Sequence, residues 1–198
     1  MSAAVPHEEI RAAQDRSWTA RLLEIFATPD LPDPDREEIA RTLDGLEDPR
    51  AEAPLARLLA DRSRPEALRE AAGALLRSWG AVPRPALRRA WRDGDHVERR
   101  HALLAMDHGE ADLVEPVARD PDHPLYREAL LALEWGFQEP TFQSFKIAAL
   151  AHADPRVREA AAGVLVADQP VAAEEALIHV SHDADDAVAA AAADTLQY

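Results

Sequence analysis

In four turns that precede a second helix of the repeat the chain places a histidine next to an aspartate, or one residue away: Asp95-His96, Asp122-His123, His152-x-Asp154 and His182-Asp183. Imidazole with carboxylate is the chemistry of metal ligation and proton transfer. Metal binding needs nitrogens at about 2.0–2.1 Å from one ion, whereas packed helices lie roughly 8–10 Å apart. Each aspartate also suits a helix N-cap. The motif therefore predicts capped turns, with a proton-sensitive edge as the chemical alternative and no assigned metal ligand. A second set is a register of arginines, Arg36, Arg69, Arg100, Arg127 and Arg158, spaced 33, 31, 27 and 31 residues. Guanidinium groups could form an anion-binding ladder. They could equally pair with turn carboxylates such as Asp61, Asp95, Asp122 and Asp154, and the acidic composition favours pairing.

Three further groups are candidates for contact with a partner. Arg84, Arg88 and Arg92 recur every four residues and share one helix face, with Arg89 and Trp91 beside them. Residues 159–198 hold no Lys or Arg but eight acids, Asp183, Asp185 and Asp186 among them, which is about half of the formal charge of −15. That end would dock a basic partner or the arginine face of a second copy; the competing reading is a solvated cap. Trp135, Phe137, Phe142 and Phe145 fall within 11 residues around Gly136 and Pro140. They are read as a binding hot spot or as filler for an irregular junction.

The elements that carry these residues come from a phrase stated twice. DHVERRHALLAM (95–106) and DHPLYREALLAL (122–133) match at Asp, His, Arg, Ala, Leu, Leu and Ala across 27 residues. REAAGALL from Arg69, REAAAGVL from Arg158 and REEIARTL from Arg36 repeat the pattern more loosely. Helices are expected at about 7–27 with a break near 15–16, then 35–46, 50–60, 64–79, 84–92, 95–107, 110–118, 123–135, 140–151, 155–167, 170–181 and 185–196. Ser63-x-x-Glu66 predicts a capping box. Gly80 predicts a left-handed C-cap. Asp154-Pro155 and Asp168-Gln169-Pro170 read as cap-and-start signals. No stretch alternates as a strand would. A hairpin of about 30 residues cannot bury its apolar stripe alone, so neighbours must stack.

DPRVREAAAGVL (154–165) resembles the second helix of a HEAT repeat, in the short form also found in phycobilin-lyase-like proteins, and SRPEALREAAGALL (63–76) is similar. The resemblance covers roughly residues 33–198 and implies an all-α, right-handed α–α superhelix of five to six hairpins. Residues 1–32 form an N-terminal cap on it. The last unit departs from the pattern, with Ala189 where the arginine would stand. Such solenoids usually bind proteins on a concave face lined by the second helices. HEAT-like hydroxylases hold a di-iron centre with His-Glu pairs; here His7-Glu8 is the one such pair and it precedes the repeats. HEAT-like DNA glycosylases need a basic face, against a net charge of −15.

The charge argues against nucleic acid and anionic membrane as partners. With no cysteine, thiolate catalysis, disulfides and zinc–thiolate sites are excluded. No signal peptide or membrane span is recognisable, so a cytoplasmic location is expected. The functional expectation is a protein-binding scaffold or adaptor acting through the concave face and acidic C-terminal end. It would have no cofactor and no catalytic residue, and its partner would be another, basic protein or a homodimer mate at the small-residue helix VAAAAADTL. The alternative is a groove-based enzyme or lyase-type chaperone for a small molecule or nucleobase. Its mark would be an apolar groove lined by Trp79, Trp91 or Trp135 with a buried carboxylate.

Overall fold

The computed structural model describes residues 5–80, 82–134, 137, 139–167 and 171–197. They form an all-α protein with thirteen α-helices and no strand among the described residues. The contacts divide the chain into two compact units, Met1–Ala102 and Leu103–Tyr198.

The first unit holds α1 (His7–Ala13), α2 (Thr19–Phe26), α3 (Asp33–Leu46), α4 (Glu52–Ala60), α5 (Glu66–Ser78), α6 (Arg84–Asp93) and most of α7 (His96–Leu104). The expected break in the first helix is present: Gln14 adopts φ 51°, and Asp15 accepts the amide of Ser17 to start a 3-10 turn over Arg16–Trp18. The second unit holds α8 (Ala111–Ala118), α9 (Tyr126–Ala132), α10 (Pro140–Ala149), α11 (Pro155–Val164), α12 (Glu174–Val180) and α13 (Asp186–Thr195). Trp135, Gly136 and 168–170 lie outside the described residues, so the cap signal Asp168-Gln169-Pro170 and the tryptophan of the aromatic group are not placed.

Within each unit the helices pair into antiparallel hairpins, and the second helices also pack on one another: α3 on α5, and α9 on α11 on α13. The repeated phrase explains why. Three residues after each register position stands a buried apolar side chain: Ile39, Ala72, Leu103, Leu130, Ala161 and, after Ala189, Ala192. One i,i+3 step therefore turns the same face of every second helix into the core. Alanine at these positions on α5, α11 and α13 brings neighbouring backbones close. Apolar clusters result, among them one around Leu22, Phe26, Leu43, Leu46, Leu55 and Leu68 and another around Leu130, Leu150, Ala161, Leu165 and Val188.

Two caps differ from the sequence expectation. α5 begins at Glu66, not at a Ser63 cap. Asp61 takes both the amide and the hydroxyl of Ser63, at 3.1 and 2.6 Å, so the hydroxyl is turned back along the chain. Pro65, extended at ψ 140°, then delays the helix. A reciprocal box does form at Asp95-x-x-Glu98: Asp95 Oδ1 accepts the Glu98 amide at 3.0 Å, and Glu98 Oε2 accepts the Asp95 amide at 3.1 Å. Gly80 is the left-handed stop expected of it, at φ 58°. No helix among the described residues is long and apolar enough to cross a membrane.

Candidate functional site

The arginine register is mainly a fastening. Arg69 sits one turn inside α5, where its Nε donates to the Leu59 carbonyl closing α4 at 2.8 Å. Its two terminal nitrogens grip Asp95, in the next inter-helix turn, at 2.7 and 2.8 Å. Arg158 repeats the arrangement in the second unit. It donates to the carbonyls of His152 and Ala153 at 2.9 and 3.0 Å, and forks onto Asp183 at 2.7 and 2.8 Å. Arg36 spends its donors on four carbonyls, those of Phe26, Thr28, Pro29 and Leu31. Each guanidinium thus caps the end of a first helix, and two of them also tie one hairpin to the following turn. The Arg69 fork holds the Asp95 carboxyl down at about 2. Hydrogen bonding from Arg158 likewise lowers Asp183. Arg100 instead reaches back from α7 to Glu70 at 2.8 Å, a carboxylate it shares with His101 at 2.7 Å.

The histidines of the turns act as local acceptors. His123 Nδ1 accepts the Leu125 amide and His152 Nδ1 accepts the Asp154 amide, each at 3.0 Å. Among the described residues no three His, Asp or Glu side chains gather as a metal site would require.

Of the candidates for partner contact, Arg84, Arg88 and Arg92 are all exposed on α6, and Arg92 pairs with its neighbour Asp93. Phe137 is fully buried and meets Phe142 edge-to-face at 4.9 Å. Phe142 is buried too and contacts the half-buried Phe145 at 6.2 Å. Asp183 is taken by Arg158, Asp185 caps α13 by accepting the amides of Ala187 and Val188, and Asp186 is exposed in the first turn. Trp79 donates its indole N–H to Asp44 at 3.0 Å, and Trp91 is half-buried.

Two features were not read from the sequence. Lys146, the one lysine of the chain, is buried on α10 with its Nζ 3.4 Å from the Phe137 carbonyl. Its position one helical turn after buried Phe142, on the same face, was the available signal. The other feature is a set of clefts between consecutive first helices. One of about 570 Å³ opens between α4 and α6 over Leu59, Leu76, Ala86 and Ala90. One of about 470 Å³ opens between α10 and α12, beside the Arg158–Asp183 pair and His152, His179 and His182. The third, of about 540 Å³, lies between α2 and α4 and is lined by Arg16, Arg50, Arg57 and Arg64. Arg50, Arg57 and Arg64 stand seven residues apart, a regular run of cations in an acidic chain that could have flagged them.

No family model matches the chain. No curated protein matches it either. Among solved structures, human deoxyhypusine hydroxylase in complex with glycerol aligns with 96% of this chain and 99% of its own, at 18% identity and a TM-score of 0.35. That score is too low to carry an argument about fold or function.

Proposed function

We propose that this chain is a HEAT-like binding scaffold for another protein, and that the hairpin α12–α13 docks a basic, amphipathic segment of that partner. One observation supports the reading above the rest. The three exposed large apolar side chains among the described residues, Val171 at 86%, Ile178 at 49% and Leu196 at 37%, lie on this hairpin or directly at its two ends. Around them Glu174, Glu175, Asp186 and Asp194 are exposed, and residues 159–198 contain no Lys or Arg. Glu174, Glu175 and Ile178 lie on α12 away from buried Leu177 and Val180, and Val171 stands in the 3-10 turn Val171–Ala173 that leads into it. Apolar side chains set among like charges give contact area together with a charge code for the partner.

The test compares capture by wild-type bait with capture by Ile178→Asp and by the reversal Glu174→Lys/Glu175→Lys. Wild type retains a protein bearing a basic segment at about 50 mM salt and releases it near about 0.5 M, where charges are screened within a few ångströms. Both variants lose it while keeping their helical circular dichroism. Identical retention by wild type and variants sinks the reading.

A further inference from the structure

We infer that the cleft between α2 and α4 is a binding site for a small organic phosphate, a phosphate monoester carried on an apolar body. This stands apart from the scaffold reading, since the cleft lies in the first unit and the docking hairpin in the second.

Local charge balance is the argument. The chain as a whole carries −15, yet four of its arginines line this one cavity. Two of the four are neutralised. Arg50 forks onto buried Asp48 at 2.6–3.0 Å, and Arg64 meets Asp61 at 3.3 Å. The other acid of the lining, Glu24, is paired with Arg21 at 3.0 Å. Arg16 and Arg57 have no carboxylate partner among the described residues. Arg16 uses its Nε on the Leu46 carbonyl at 3.1 Å, and Arg57 uses its Nε on the Ala53 carbonyl at 3.3 Å. Among the described residues neither makes a hydrogen bond from its two terminal nitrogens, the ones that fork onto an oxyanion. The cleft is therefore left with two positive charges in a protein whose net charge is −15.

Two guanidiniums match a phosphate monoester dianion in charge, while a monoanion leaves one of them uncompensated. The remaining lining supplies the place for a body: Ala20, Leu23, Ala27, Pro54 and Leu58 form an apolar wall. About 540 Å³ is within the range of small-molecule sites. The position of Arg50 is itself fixed, because Asp48 is held by the Thr19 hydroxyl at 2.6 Å and Arg50 Nη2 also donates to the Arg16 carbonyl at 2.6 Å. The side of the cleft at Arg50 and the Arg16 backbone is thus braced before any ligand arrives, which limits the ordering lost there on binding.

The test titrates the full chain with phenyl phosphate by calorimetry and amide chemical shifts, with inorganic phosphate and benzenesulfonate as comparators. Phenyl phosphate binds with shifts centred on Leu23, Leu58 and the Arg16–Thr19 segment. Inorganic phosphate, lacking the body, and benzenesulfonate, a monoanion, each bind at least about tenfold more weakly, or about 1.4 kcal/mol. Arg57→Gln weakens phenyl phosphate about tenfold and Arg16→Gln does likewise, whereas Arg41→Gln, away from the cleft, leaves it unchanged. Should Arg16→Gln unfold, Arg57→Gln decides alone, since Arg57 is exposed and holds one weak backbone contact. Binding also fades as pH falls below about 6, where the ester becomes a monoanion. No binding at about 10 mM, affinity untouched by Arg57→Gln, or an Arg57-dependent dimer that excludes phenyl phosphate each overturns the proposal.

Discussion

Asp95 shows how much one side chain can do in this architecture. Its carboxylate caps α7 through the Glu98 amide and holds the Arg69 fork that closes α4. Its folded value of about 2 lies below the ordinary 3.8. The stability it contributes is therefore complete above 3.8 and lost as the pH falls from there through about 2, on the order of 1–2 kcal/mol after allowance for its partial exposure. Arg69→Gln should lower the melting temperature at neutral pH and flatten this acid slope. Equal slopes in wild type and variant between pH 4 and 2, compared by urea midpoints, would refute the assignment. His101 acts in the same direction at a higher pH. Burial lowers it, against the pull of Glu70, so its neutral form is the folded one and stability declines as the pH drops below 6.5.

At the scale of helices, two glycines mark where packing is tight and where it is open. A methyl at Gly73 of α5 would stand 2.5 Å from the His101 ring of α7. That ring is buried and anchored on Glu70, so it cannot move aside cheaply. Gly73→Ala should cost about 1–3 kcal/mol by overpacking. Gly163 on α11 has nothing within 4 Å of the same added atom. There alanine should gain up to about 1 kcal/mol through helix propensity alone. Thermal melts of the two single variants test this, and shifts of the same sign would defeat the reading. Helix boundaries were legible to within a few residues where Pro, Asp or Gly punctuates the chain, as at α10, α11 and α13. They were less so at α9, which starts at Tyr126, three residues later than expected, because His123 accepts the Leu125 amide and holds the turn open. The Ser63 cap was misread for a related reason. A nearby aspartate competes for the same donors, and sequence spacing does not rank the competitors.

For the molecule as a whole, net charge is the dominant electrostatic fact. At −15 on 21.7 kDa the folded chain repels itself more than the expanded one does. The ion pairs at Arg69 and Arg158 are partly shielded from solvent and screened less by salt than the long-range repulsion. Raising sodium chloride from about 20 to 300 mM, across which the Debye length shrinks severalfold, should therefore raise the melting temperature by several degrees. A fall would mean that the exposed pairs contribute more than the repulsion.

The sequence by itself determined the all-α fold and the register of the second helices. Both are periodic, local properties: an arginine, then a buried apolar residue three positions on, repeated at a fixed interval. Tertiary structure alone decided which charges meet. Arg16 and Arg57 are 41 residues apart in the chain and line one cleft, while Arg69 and Arg158, identical to them in type, are consumed by aspartates 26 and 25 residues downstream. Whether a guanidinium is a fastening or a free cation depends on what lies within 3 Å of it. That distance is fixed by how hairpins stack, and no spacing along the chain encodes it.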